Sequence, residues 1–124
     1  MALMFLIALA GVMGASGILI AAAGEHAVPN AGLQGAAYLL LFHAAAILGG
    51  ASLAQQGVLW KALMLAVLTC WAAGATLFSG DVTLYALSGR RLFPMAAPIG
   101  GIMLTAAWVA LTGAAICALI RRAG

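Results

Sequence analysis

Five Lys or Arg, two Asp or Glu and two His are the whole stock of charged or readily charged side chains in these 124 residues, so any proton, anion or metal chemistry must be assembled from them. His43 is the sharpest of the nine. It stands inside a long apolar run, about ten residues from its start, which at 1.5 Å per residue is roughly 15 Å deep in a helix. A neutral imidazole donates one hydrogen bond and accepts one. The expected partners are Ser16, Thr69, Thr105 or a backbone carbonyl of a neighbouring helix, and because imidazole titrates near neutral pH the alternative is a proton relay or ligand contact. Glu25 and His26 are adjacent at the end of the first apolar run, where a helix dipole disfavours an acid. They are expected to sit in a solvated turn, or to pair with each other or with a loop arginine. Ser79, Asp81, Arg90 and Arg91 form the third group, with an arginine suited to a lipid phosphate or another anion.

Nothing in this set reads as a catalytic or metal-binding pattern. The chain has no His-Glu-x-x-His, no Gly-rich phosphate loop, no nucleophile triad order and no paired carboxylates within an apolar run. Cys70 and Cys117 lie singly in apolar stretches, and the six methionines are scattered, reading as lipid-facing or gap-filling residues. No enzyme activity, cofactor or metal is expected. The cations Lys61, Arg90, Arg91, Arg121 and Arg122 are too dispersed for a nucleic-acid stripe.

The elements that must position these residues follow from composition. The sequence is 67% hydrophobic and 6% charged, against roughly 25% charged in a soluble domain. A chain this short cannot hide so much apolar surface in its own core, so its surroundings must be lipid. Crossing roughly 30 Å of hydrocarbon takes about 20 apolar residues in a helix. Four runs qualify, at about 2–23, 32–53, 58–78 and 97–120. Each is continuous and too long for a barrel strand, so the expected fold is an all-α integral membrane domain of four transmembrane helices. The first run lacks the basic start of a cleaved signal and is read as a retained helix, with a signal peptide as the alternative. Pro29-Asn30, Gln55-Gln56-Gly57 and Arg121-Arg122 punctuate the runs.

Residues 79–96 form the one long stretch between spans and read as a short amphipathic helix followed by a loop. Ser79 would cap it, Asp81 would complement its dipole and Gly89 would end it. Alternating spans then bring Glu25, His26, Ser79, Asp81, Arg90 and Arg91 to one side of the membrane, as a polar vestibule above His43. Lys61, Arg121 and Arg122 fall on the other side with both termini, which the positive-inside rule makes cytoplasmic. Small residues mark close helix approach in lipid, and the expected contact positions are Gly11, Gly14, Gly17, Gly49, Gly50, Gly100 and Gly101.

Several short motifs, Gly24-Glu25-His26, Phe42-His43, Leu77-Phe78-Ser79-Gly80-Asp81, Arg91-Leu92-Phe93-Pro94 and Ala97-Pro98-Ile99-Gly100-Gly101, carry a family resemblance. In these, over nearly its whole length, the chain resembles the small four-span inner-membrane family of domain of unknown function 423, related to eukaryotic transmembrane protein 256. It departs from the family pattern at Glu25 and at the apolar Leu39, Leu40 and Leu41. The resemblance implies a bacterial inner-membrane protein without an assigned activity. The expected role is a non-enzymatic structural or accessory protein, surrounded by lipid and assembled with itself or with a larger membrane complex. The alternative is a small proton- or solute-conducting protein using the vestibule and His43.

Overall fold

The computed structural model describes residues 1–26 and 31–123, and in these it is built of four helices: α1 (Ala2–His26), α2 (Ala31–Gln56), α3 (Lys61–Ser88) and α4 (Ala96–Ala123). The Pro29-Asn30 interruption lies outside the described residues. All four helices are long and apolar enough to cross a membrane. Lengths of 25 to 28 residues correspond to roughly 38 to 42 Å at 1.5 Å per residue, so the ends overrun the hydrocarbon and reach the headgroup layers.

One expectation is corrected. Residues 79–88 are not a separate amphipathic helix lying beside the bundle; α3 runs through Ser79, Gly80 and Asp81 without a break. The reason is that these polar groups find partners on other elements instead of capping a new helix. The Ser79 hydroxyl donates to the Ala36 carbonyl on α2 at 2.8 Å, and Asp81 is fully buried against the loop that follows α3. A single glycine in a helix interior costs only about 1 kcal/mol relative to alanine, which these bonds outweigh. Gly89 does end the helix, at φ 69°, with its N–H donating to the Tyr85 carbonyl at 2.8 Å. A left-handed glycine after the last turn is the usual way to satisfy an orphan carbonyl.

The core runs along α2 and α3. Leu33, Ala36, Ala37, Leu40, Ala44, Ile47, Ala51 and Ala54 are buried at three- and four-residue spacing, the signature of one helix face turned inward. Met64, Val67, Leu68, Trp71, Ala72 and Ala75 answer them from α3. Helices pack in serial order, α1 on α2, α2 on α3 and α3 on α4, with a lighter approach of α1 to α3. Among the described residues no Cα of α4 comes within 8 Å of α1 or α2. By backbone approach the fourth helix therefore packs against α3, and 11% of its most apolar stretch is buried within the chain, against 44% for α2 and for α3.

Close approach explains where α4 attaches. A Cβ on Gly100 would stand 2.7 Å from the Gly74 carbonyl oxygen and 2.8 Å from the Phe78 nitrogen, and one on Gly74 would stand 2.9 Å from the Gly100 oxygen. Neither backbone could yield without moving a helix. Gly17 against Leu41 and Ala37, and Gly50 against Leu68, are similarly tight. Gly11, Gly14 and Gly49, by contrast, have open space within 4 Å, and Gly101 meets only the edge of the Phe78 ring at 4.0 Å. Gly74, which the sequence reading passed over, takes their place.

Candidate functional site

The functional side chains separate into three groups at three depths. At mid-height, in the middle of α2, His43 is 6% exposed. Its Nδ1–H donates to the Leu39 carbonyl one turn back at 2.8 Å, and its Nε2 accepts from the Trp108 indole N–H at 3.2 Å. An indole can only donate, so the pair of bonds defines the neutral, Nδ1-protonated tautomer. Trp71 and Trp108 complete the cluster, with the His43 ring 6.2 Å from each and the two indoles 4.3 Å apart. Edge-on and tilted arrangements at these separations suit the ring quadrupoles. Trp108 thus bridges the gap between α4 and α2 that the backbones leave open. The Trp71 indole N–H is buried without a hydrogen-bond partner.

The anticipated partners Ser16, Thr69 and Thr105 are not those His43 uses. Thr69 and Thr105 donate to carbonyls one turn back on their own helices, Leu65 and Gly101. Such local bonds are available to any helical threonine. Two tryptophans at mid-helix, away from the interface where tryptophan ordinarily concentrates, were the signal that could have found the cluster.

The second group closes the α3–α4 loop. Asp81 has no exposed surface, and its two carboxylate oxygens take separate partners: Arg91 donates to Oδ2 at 2.8 Å and the Leu92 backbone N–H to Oδ1 at 2.9 Å. The Arg91 guanidinium also lies over the Tyr85 ring, 4.4 Å from its centre, an added cation–π attraction. Arg90 is exposed, and its amide N–H reaches the Ser88 hydroxyl at 3.4 Å.

The third group is Glu25, exposed as the solvated reading expected, which accepts from the Gln34 side-chain amide across the α1–α2 connection and not from His26 or an arginine. His26 is exposed beside it. Glu25, His26, Ser79, Asp81, Arg90 and Arg91 do share one end of the helix array, but they pair off separately and do not converge into a vestibule over His43. Two cavities nearby are apolar. Adjoining grooves of about 860 and 380 Å³ run between α1 and α3, lined by residues such as Leu6, Leu9, Ala72 and Leu77 in one and Met13, Leu40 and Leu84 in the other. Neither contains an acid or a histidine. Among the described residues no three of His, Cys, Asp and Glu come together as a metal site.

Fold and buried bonds together define a small multi-pass membrane protein whose helices are joined by a few isolated polar contacts. Residues 20–101 match the family described as "Protein of unknown function (DUF423)", and the chain belongs to that family. The proteins named "UPF0382 inner membrane protein YgdD" of Escherichia coli K12, Escherichia coli O157:H7 and Shigella flexneri are each 35% identical to it over 79 residues, 60% of this chain. The matched part is 56% of their own length, so the chain spans little more than half of these relatives. No solved structure matches. The protein is accordingly a multi-pass protein of the bacterial inner membrane. The family match takes in His43, Trp71, Ser79, Asp81, Arg91 and Gly100, and stops short of Trp108.

Proposed function

We propose that the protein is a non-enzymatic structural or accessory component of the inner membrane, assembling with itself or with a larger membrane complex, with both termini cytoplasmic. One observation carries this reading: three buried polar side chains join separate elements of the chain, Ser79 to Ala36, Asp81 to Arg91 and Leu92, and His43 to Trp108. Polar groups at membrane depth are costly and ordinarily mark either a working site or helix-to-helix glue. The sparse burial of α4 supports an assembly role, since most of that helix is left to lipid or a partner. Lys61, Arg121 and Arg122, at the end opposite Arg90 and Arg91, support the orientation.

Affinity purification of the full chain from native membranes in mild detergent, with identification of what accompanies it, is the test. A stable oligomer or defined partner is expected, and a clean monomer in every detergent would count against assembly. A second reading, a proton- or solute-conducting protein, draws support from His43 at mid-height. Conduction through His43 would have to break the Trp108 bond, because a protonated ring has no acceptor nitrogen. Flux above lipid background in sealed vesicles, lost in a His43→Leu variant, would favour this reading over the first.

A further inference from the structure

The end of the molecule opposite the Asp81–Arg91 pair holds a niche of different character. The α2–α3 turn and the last turns of α4 border an open space of about 520 Å³, lined by Leu59, Trp60 and Leu63 from the one and by Ala114, Ala118, Arg121 and Arg122 from the other. Both acids of the chain, Glu25 and Asp81, lie at the far end, and each has a partner there. Among the described residues Arg121 and Arg122 have no acidic partner, since the Asp81–Arg91 pair is the one salt bridge. Among the described residues this end therefore carries cations without an acid beside them.

We propose that this niche binds the headgroup of an anionic phospholipid, Arg121 and Arg122 meeting the phosphate while Leu63, Ala114 and Ala118 receive the first part of an acyl chain. Guanidinium groups suit phosphate oxygens through paired hydrogen bonds. Trp60, 76% exposed at the start of α3, stands at the depth where tryptophan anchors to the headgroup layer. A soluble anion would satisfy the arginines and leave the apolar floor uncovered; a phospholipid satisfies both. The cavity beside Arg91 at the other end, lined also by Phe78, Val82 and Met95, lacks this excess charge because its arginine already holds a carboxylate.

The test is native mass spectrometry of the full chain with phosphatidylglycerol and phosphatidylcholine of matched acyl chains. Retention of phosphatidylglycerol over phosphatidylcholine is expected. A basic residue near a lipid surface is worth about five-fold in binding anionic lipid, so the doubly substituted Arg121→Gln, Arg122→Gln chain should lose about 25-fold of that preference. Arg90→Gln, at the other end, should keep it. Ala118→Trp, which fills the niche and leaves every charge in place, should also weaken retention; full retention there would reduce the effect to general surface charge and overturn the niche. Equal retention of the two lipids by the wild-type chain, or an unchanged preference in the double variant, would overturn it as well. Displacement of the lipid by millimolar inorganic phosphate would make the site one for a plain anion instead.

Discussion

Asp81 and His43 are both buried polar residues that tie separate elements together, yet they are built to opposite rules. Asp81 is a charged group near the end of its helix, given a cation, a backbone N–H and a ring stacked over the cation. His43 is at mid-height, bonded to an uncharged carbonyl and an uncharged indole N–H and flanked by two indoles. Depth explains the difference. Near the headgroups a buried carboxylate can be compensated by a half-exposed arginine that itself stays in contact with water, whereas at mid-height a full charge has no such recourse.

Breaking the charged tie should cost most. Arg91→Ala leaves Asp81 buried with only the Leu92 N–H, and should destabilise the fold by about 3 kcal/mol, the usual penalty for orphaning a buried charge; reversible unfolding in mixed detergent measures it. Arg91→Lys should recover part of the loss. A wild-type-like Arg91→Ala chain would mean that water reaches Asp81.

The Gly74–Gly100 crossing tests whether α4 depends on close backbone approach to α3. Gly100→Ala places a methyl against backbone atoms at 2.7 and 2.8 Å and should cost about 2 kcal/mol as overpacking. Gly11→Ala, with open space around it, should be neutral or slightly stabilising in the same assay.

Trp108→Phe keeps an aromatic ring, though a smaller one, and removes the donor, so loss of the neutral tie should cost only about 1 kcal/mol, in the range of single hydrogen bonds between membrane helices. Its unfolding midpoint should fall less than that of either preceding destabilised variant, and a larger fall would show that Trp108 holds α4 in place as well as capping His43. Glu25→Gln, at an exposed contact with Gln34, should change stability by about 0.5 kcal/mol or less.

How far the sequence could be read depended on whether a feature was local. Four apolar runs of sufficient length make four helices, because lipid offers the backbone no other partner, and Gly89 stops a helix wherever a chain needs a left-handed residue after the last turn. The boundaries of α3 were less legible. Ser79 and Asp81 look the same whether they cap a short helix or bond across to Ala36 and Leu92, and only the neighbouring elements distinguish the two.

The candidate site shows the same division. That His43 is buried in a span, and that Arg91 and Asp81 share an end of the molecule with Glu25, follows from span order alone. That His43 is bonded to Trp108, 65 positions away, follows from a gap between α2 and α4 wide enough for an indole to cross. Likewise, seven glycines were equal candidates for close packing until helix rotation turned Gly17, Gly50 and Gly100 inward and left Gly11, Gly14 and Gly49 facing out. Hydropathy alone thus determined that this protein lives in a membrane, how often it crosses and which end holds its acids. Which polar group meets which, and so why the two ends of the molecule differ in free charge, was decided by the tertiary structure, because pairing depends on the relative rotation and offset of whole helices.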